Sequence, residues 1–286
     1  MLRKSIILIF KAWAHLPLWW HYLVAKFGFF LFYYVFRYRR KVVIDNLQHA
    51  FPDKKREELE KLSKSYFQQL GNLMVEVIKM PAFSKADLRK RVKLVESEDM
   101  KALLAHENAI VYTAHFGNWE WAGQRVGLDC KAPLQVVYKS IKSQLFNDYM
   151  RMIRTHFGNI ATPMEGVMRF MVKTPKLVSA FLADQTPTRG QAGYWGAFFG
   201  RIVPFFDGPE KIAAKKKMAV FYGETFLVEK GYYEVHVTKL ADNAALLPKH
   251  TITRKYAECL EQSIKSQPHT WIWSHKRWKH AGKQPK

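Results

Sequence analysis

The chain has 286 residues, with 46 Lys and Arg against 24 Asp and Glu, and a formal net charge of +22. This length predicts one large domain, or one domain with an appendage, and the charge indicates an anionic partner such as nucleic acid, anionic lipid or an acidic carrier protein. The two distant cysteines, Cys130 and Cys259, exclude a disulfide framework and a zinc ribbon and suit a reducing cytoplasm.

Residues 5–36 are apolar and aromatic and predict a membrane-associated helix. No small-residue cleavage site follows them, which argues against a signal peptide. A helix over residues 17–36 has roughly the length of a bilayer core, about 20 residues, but it would place Lys26 in the hydrocarbon. On one continuous helix, Lys11, His15 and Lys26 would instead form the narrow polar stripe of an interfacial helix. Both depths stay open.

Four basic residues follow this segment and indicate its cytoplasmic flank: Arg37, Arg39, Arg40 and Lys41. We therefore expect the body of the protein to lie on the cytoplasmic side. The same cluster marks the predicted boundary between a membrane-anchoring segment, residues 1–41, and a second domain, residues 42–286.

Helix and strand signals alternate along the rest of the chain. Apolar residues at helical spacing predict helices over 53–80, 98–106, 144–156 and 209–217. Short apolar or alternating runs predict strands over 109–114, 134–138, 177–183, 218–222, 225–229 and 232–239. The last two strands are split by Lys230-Gly231 and predict a hairpin. This alternation predicts an α/β fold with a mixed central sheet flanked by helices.

The strand over residues 109–114 leads directly into the residues with the clearest chemical signal. His115 follows it, Gly117 permits a sharp turn, and Asn118 suits a helix N-cap with Glu120 in the first turn. One interpretation is a packed loop histidine. The other is a catalytic pair, in which Glu120 hydrogen-bonds one ring nitrogen of His115 and leaves the other as a base. The His-Glu-x-x-His zinc pattern is absent, and no metal site is predicted.

Other polar residues follow predicted elements farther along. Asp184 and Gln185 come after the 177–183 strand, so they should emerge at the same sheet edge as His115 unless they form only a solvated turn. Arg154, near the end of its helix, suits either a cap of the carbonyl end or a contact to an anionic headgroup.

The carboxy-terminal run over residues 271–279 interleaves Trp with basic side chains. Such a run suits base stacking, a membrane surface or plain packing.

The string from His115 to Glu120, His-Phe-Gly-Asn-Trp-Glu, resembles the late acyltransferases of lipid A biosynthesis, within the glycerolipid acyltransferase superfamily. Similar motifs run from about residue 16 to residue 279: Leu16-Pro17, Arg39-Arg40, Asn46-Leu47, Phe51-Pro52, Asp184-Gln185, 198–201 and 271–279. The resemblance implies a glycerol-phosphate-acyltransferase-like fold and an acyltransferase without a cofactor. It implies His115 as the general base, Glu120 as its orienting partner and direct transfer.

The implied donor is an acyl carrier protein thioester, and the implied acceptor is a hydroxyl on a hydroxyacyl chain of the Kdo-bearing lipid A precursor. The predicted substrate-binding residues are Asn118, Lys139, Arg154, Asp184, Gln185 and Arg189. Of these, Arg189 has no family counterpart, and Lys139 stands where many relatives carry Arg. The glycerol-phosphate acyltransferase loop Glu-Gly-Thr-Arg is absent, which argues against a small glycerol-phosphate acceptor. The implied location is the bacterial inner membrane with the active site facing the cytoplasm.

Two alternatives stay open. One is an acyltransferase acting on another membrane lipid, such as a phosphatidylinositol mannoside, with acyl-coenzyme A as a donor. The other is a non-catalytic membrane protein that binds anionic lipid or nucleic acid through its charge, although the resemblance gives no expectation of nucleic-acid binding.

Overall fold

A seven-stranded sheet organises the described part of the chain, residues 2–187 and 192–283 of a computed structural model. Its strand order is β1-β9-β8-β2-β5-β3-β4. The strands of this sheet are β1 (Val92–Leu94), β2 (Asn108–Thr113), β3 (Leu134–Tyr138), β4 (Ile160–Pro163), β5 (Leu177–Leu182), β8 (Ala219–Glu229) and β9 (Tyr232–Ala241). A separate antiparallel pair is formed by β6 (Tyr194–Phe198) and β7 (Arg201–Phe205).

The strand directions confirm the predicted mixed sheet. Neighbouring strands are parallel throughout, except that β8 and β9 form an antiparallel hairpin. The separate strands predicted over 218–222 and 225–229 were wrong, because both belong to β8. The ladder continues through Gly223, which pairs with Val237, so this glycine does not end the strand.

The helices of the described residues surround this sheet. They are α1 (Leu2–Ala14), α2 (Leu18–Phe30), α3 (Arg40–Ala50), α4 (Arg56–Lys79), α5 (Lys85–Arg91), α6 (Glu98–Ala105), α7 (Trp119–Asp129), α8 (Gln144–Arg154), α9 (Val167–Lys173), α10 (Gly208–Lys216) and α11 (Thr251–Ser266). The helices predicted over 53–80, 98–106, 144–156 and 209–217 correspond to α4, α6, α8 and α10.

Helices cover both faces of the sheet because side chains alternate along each strand. In β2, Ile110 and Tyr112 belong to one apolar cluster, where Tyr112 packs on Tyr256 of α11. Ala109 and Val111 belong to the cluster on the other face, together with residues of α7. The central strand is therefore buried on both sides.

The amino-terminal segment differs from the single helix expected there. The chain breaks between α1 and α2 at Pro17, which has no N–H for a helical hydrogen bond, so the proposed polar stripe does not lie on one helix. Beyond α2, the residues Leu31–Val35 form a π-helical turn. Among the described residues, no helix combines the length and the apolar character needed to cross a bilayer.

One face of α2 packs against α4. The Tyr22 hydroxyl donates to the Glu76 carboxylate at 2.8 Å, and Ala25 lies against Gly71. Lys79, at the end of α4, donates from Nζ to the carbonyl oxygens of Ala14 and Leu16, both at 2.8 Å. The amino-terminal helices are thus tied to the layer that carries α4.

Candidate active site

His115 lies one residue beyond Ala114, just past the carboxyl end of β2. Gly117 then turns the chain with φ +60°, and a side chain there would run into the carbonyl oxygen of Thr225. The backbone of this turn is pinned by Thr270, whose carbonyl accepts from the Gly117 amide at 3.2 Å, and by Ile272, whose amide donates to the His115 carbonyl at 3.1 Å. The requirement for glycine here is therefore both conformational and steric.

The imidazole of His115 is held by Asp184, which follows the neighbouring parallel strand β5. Its Nδ1 lies 2.7 Å from Asp184 Oδ1, and its backbone amide donates to Oδ2 at 3.1 Å. Trp271 Nε1 donates to the same Oδ2 at 2.8 Å. This arrangement makes Nδ1 the protonated ring nitrogen and leaves the lone pair on Nε2. Among the described residues, Nε2 has no hydrogen-bond partner.

Asp184 is fully buried, whereas the His115 side chain is 20% exposed. Burial alone would raise the pKa of Asp184, but the charge and hydrogen bonds of His115, with the hydrogen bond from Trp271, outweigh it and hold that pKa below its usual value. The carboxyl group is therefore ionised at neutral pH and can accept the hydrogen bond from Nδ1 of His115.

Glu120 does not form the expected hydrogen bond with His115. It faces the space between α7 and the sheet, where Arg154 arrives from the end of α8 and donates from Nε to both carboxylate oxygens and from Nη2 to Oε1 at 2.6 Å. Trp119 Nε1 donates to Oε1 at 3.2 Å. A guanidinium removed from water needs a carboxylate partner. Glu120 is the partner of Arg154 and is therefore not bonded to His115. Burial alone would lower the pKa of Arg154, but Glu120 raises it.

The predicted substrate-binding residues do not form one group. Arg154 is largely buried and committed to Glu120, so it offers no free headgroup contact. Asn118 is fully buried: its Oδ1 accepts from the Trp121 amide at 3.0 Å, and its Nδ2 donates to Glu76 at 2.8 Å. Its side chain is a helix cap and does not face a substrate.

The remaining candidates lie on loops. Lys139 and Gln185 are exposed after β3 and β5, at the carboxyl edge of the parallel strands that also carries His115. Asp184 holds His115 and is sealed from a substrate. Arg189 lies outside the described residues.

The carboxy-terminal tryptophans pack in the interior. Trp271, Trp273 and Trp278 are buried, which removes the surface needed for base stacking. The same segment closes over the strand-end loop, since His275 Nε2 accepts from the Thr186 amide at 2.9 Å. Burial lowers the pKa of His275 to about 4, so this nitrogen accepts as a neutral imidazole.

Two residues that contact this site were missed from the sequence. Trp271 was singled out only for its aromatic ring, yet its indole N–H fixes Asp184. Glu76 is a fully buried carboxylate that also accepts from Tyr22 and Tyr233. The signal for Glu76 was a charge on the apolar face of α4, three residues after Leu73.

An apolar cavity lies beside His115, between α7 and one face of the sheet. It comprises about 710 Å³ of empty space, counting the part open to solvent, and its mostly aliphatic walls come from five strands and three helices. Glu120 and Arg154 lie at one end of this lining. Trp119 also lines it, and its ring centre is 4.9 Å from that of His115. The imidazole is therefore one side chain away from an apolar space.

Among residues 2–187 and 192–283, no group of three or more His, Cys, Asp or Glu side chains is arranged to hold a metal ion. The arrangement can supply a general base, a buried counter-charge and an apolar binding space. These are the parts required to activate a hydroxyl next to a lipid chain.

Comparison with known proteins bears on this chemistry. Residues 4–280 match the family model for bacterial lipid A biosynthesis acyltransferase. The match spans the whole sheet, the histidine turn and the carboxy-terminal tryptophans. A comparison with curated proteins gave no match.

Proposed function

This chain belongs to the bacterial lipid A biosynthesis acyltransferase family and is an acyltransferase, and we propose that His115 is the general base of its reaction. The observation that carries the proposal is the state of the imidazole. Its Nδ1 is held by buried Asp184 at 2.7 Å, and its Nε2 is unpartnered among the described residues, next to an apolar cavity. A free lone pair on Nε2 is what removal of a hydroxyl proton requires.

The proposed reaction is direct transfer from a thioester to a lipid hydroxyl. Nε2 of His115 takes the hydroxyl proton as the oxygen attacks the thioester carbonyl, and the imidazolium returns it to the sulfur as the carbon–sulfur bond breaks. Asp184 stabilises the imidazolium without taking the proton itself. The Trp121 amide is taken by the Asn118 cap. The donors we propose for the developing oxyanion are the amides of Trp119 and Glu120, because the positive end of the helix dipole lies there.

The state of the cysteines favours direct transfer over an acyl-enzyme. Burial raises the pKa of the Cys130 thiol to about 12, and burial also raises that of Cys259. A thiol with a raised pKa holds little thiolate at neutral pH, and thiolate is the nucleophilic form. Neither cysteine is therefore suited to accept the acyl group.

Glu120 has a revised role in this proposal. It acts as a positioning residue through Arg154, because their ion pair joins the start of α7 to the end of α8 beside the cavity. Through this contact it holds the first turn of α7 next to His115.

The substrates follow from the family and the charge. We propose an acyl carrier protein thioester as donor and a hydroxyl on a hydroxyacyl chain of the Kdo-bearing lipid A precursor as acceptor. Both are anionic, and the net charge of +22 favours them over neutral substrates. The cavity is the proposed site of the donor's acyl chain, and we place the reaction at the cytoplasmic face of the inner membrane.

Replacement of His115 by Ala tests the assignment. We expect turnover to fall by about 10³ or more at saturating donor and acceptor, measured as thiol release on addition of acceptor. His106→Ala is the matched control, since His106 lies beyond the other end of β2, with the whole strand between it and His115. Wild-type turnover in His115→Ala would refute the proposal.

A further inference from the structure

The apolar cavity has a direction, from the His115 end of the sheet to the opposite end. Trp119 and Glu120, which line one end, open helix α7 at the carboxyl edge of the parallel strands. Val126, which lines the other end, lies six residues along α7, about 9 Å deeper at the helical rise. Leu103 lies at that far end as well, because the backbone of its neighbour Leu104 accepts from Lys131, just past α7.

Gly123 lies midway along this path, on the lining face of α7. A Cβ atom at Gly123 would meet no other atom within 4 Å. Glycine inside a helix is less stabilising than alanine, so the absence of a side chain here is not explained by helix stability or by close packing. The space it leaves is part of the cavity.

The second glycine of the lining is different. A Cβ atom at Gly223, on β8 across the cavity, would approach Val111 Cγ1 to 3.3 Å. That glycine serves close packing between neighbouring strands. Only Gly123 combines a lining position with open space in front of it, among the glycines of the described residues that line this cavity.

We propose that Gly123 sets the longest acyl chain this enzyme transfers, by keeping the cavity open between its Glu120–Arg154 end and the end closed by Leu103 and Val126. This inference rests on the proposed function, in which the donor's acyl chain occupies the cavity. A side chain at position 123 projects into the path of that chain and shortens the usable length. A smaller side chain at position 103 lengthens the space available to the acyl chain.

The test is a competition between saturated acyl donors on acyl carrier protein that differ in steps of two carbon atoms. All donors are present together at equal concentration, and the acylated lipid products are counted by mass spectrometry. The product ratio reports relative kcat/KM values, which do not depend on the fraction of folded enzyme. For Gly123→Ala, Gly123→Leu and Gly123→Met, we expect a graded shift to shorter chains, by about tenfold or more for each methylene displaced.

Two further variants complete the series. Leu103→Ala enlarges the far end and should shift the products to longer chains. Ala105→Met adds the same side chain as Gly123→Met at an exposed site on α6 and should leave the ratio unchanged. If Gly123→Met is inactive, Gly123→Ala and Leu103→Ala decide the matter through their opposite shifts.

Three outcomes separate the possibilities. Unchanged ratios in active Gly123 and Leu103 variants overturn the inference but leave the acyltransfer proposal standing. A raised KM for the acceptor with an unchanged donor ratio also overturns it, because the acceptor's chain would then fill the cavity. Absence of transfer from every donor in the wild-type enzyme, with all substrates present, would instead count against the proposed substrates.

Discussion

At the scale of single residues, the two carboxylates near His115 have different partners. Asp184 contacts the imidazole directly, whereas Glu120 contacts the guanidinium of Arg154. We predict that Asp184→Asn, which keeps the shape but removes the charge, lowers kcat by about 10³, because the imidazolium loses its counter-charge and the ring its preferred tautomer. Thiol release at saturating substrates measures this.

Glu120→Gln is the contrasting variant. It leaves the Arg154 charge buried without its partner, so we expect a lower melting temperature together with a smaller loss of kcat. Pairing Glu120→Gln with Arg154→Met should restore part of the melting temperature, since neither charge then remains. If Glu120→Gln costs as much turnover as Asp184→Asn without loss of stability, Glu120 acts in the chemistry itself and the assignment of roles changes.

The sequence predicted the right sheet edge but the wrong partner for His115. Strand ends alone placed His115 and Asp184 together, and the register of β2 on β5, which pairs Thr113 with Leu182, confirms it. Spacing along the chain favoured Glu120 because it ignored Arg154, which comes from 34 residues farther on. A buried guanidinium needs a carboxylate, and that need is not local in sequence.

Glu76 permits a test through pH. Burial raises its pKa, against hydrogen bonds from Tyr233, Tyr22 and Asn118 that lower it. Above the ordinary carboxylate pKa, the unfolded chain has lost a proton that the folded protein retains, so this group's contribution to stability falls as pH rises through the folded pKa. We predict that Glu76→Gln removes this fall in stability. The difference in melting temperature between wild type and Glu76→Gln should therefore change between acid and neutral pH.

Glu107 provides the comparison of opposite sign. Hydrogen bonds and charges from Lys176 and Lys131 lower its pKa to about 2. Its contribution is therefore present above the unfolded pKa and lost as pH falls, and solvent screening keeps it small because the group is exposed. For the Glu76 test, melting temperatures of wild type and Glu76→Gln that change with pH in parallel would contradict the prediction, because the pKa of the Glu76 carboxyl would then be the same in the folded and unfolded states.

At the scale of elements, α2 has two different faces. Trp19, Leu23 and Phe27 recur every fourth residue and are 63%, 52% and 63% exposed. The opposite face, with Tyr22 and Ala25, packs on α4. An exposed apolar stripe rich in aromatic rings is typical of a helix lying in a membrane interface.

We predict that replacing Trp19, Leu23 and Phe27 together by Ser lowers binding to anionic lipid vesicles by about 100-fold or more. Each side chain loses apolar area that the membrane would otherwise bury. The fold should survive, because these side chains make little contact with the rest of the protein. Vesicle co-sedimentation measures the loss.

The matched control removes three exposed apolar side chains elsewhere. Val172, Val228 and Leu246 are exposed to a similar extent as the residues of the α2 stripe, at 69%, 59% and 79%, and their joint replacement by Ser should leave vesicle binding unchanged. Equal losses in both triple variants would mean that general surface hydrophobicity, and not α2, drives the association. Retained binding in the α2 variant would count against the membrane-facing stripe.

The amino-terminal elements also show where sequence patterns reach their limit. One of the two sequence interpretations, a helix over residues 17–36, began at Pro17, where the chain does break, but neither interpretation included the π-helical turn at Leu31–Val35. His21, a polar residue within this apolar segment, is fully buried, and its Nδ1 donates to the Pro17 carbonyl. The burial of this segment depends on contacts with α4, which lies farther along the chain and cannot be read from the local sequence pattern.

At the scale of the whole molecule, the parallel strands bring charge and chemistry to one edge. His115 and Asp184 follow β2 and β5 there, and the loop after β3 carries exposed Lys139 and Lys142. The alternation of elements was enough to predict this common edge, because parallel strands end on the same side. Strands β4, β6 and β7 were not predicted, because they are short and their side chains show no clear alternation between apolar and polar.

The net charge of +22 predicts that this protein attracts the acidic carrier protein of the donor. We expect this attraction to be strongest at the edge that carries Lys139 and Lys142. We predict that Lys139→Glu with Lys142→Glu lowers kcat/KM for an acyl carrier protein thioester by about tenfold at low salt, with kcat nearly unchanged, because rim charges act mainly on association. The deficit should shrink as ionic strength rises and the Debye length falls to about 8 Å at 0.15 M.

A matched variant separates local from global charge. Lys173→Glu with Lys215→Glu changes the net charge equally but lies at the opposite edge, before β5 and β8, where both lysines are exposed. Its effect on kcat/KM should be clearly smaller, and an acyl thioester without the carrier protein should respond to neither pair. Equal losses from both pairs would mean that total charge alone recruits the donor, whereas no loss from either would remove Lys139 from the proposed donor surface.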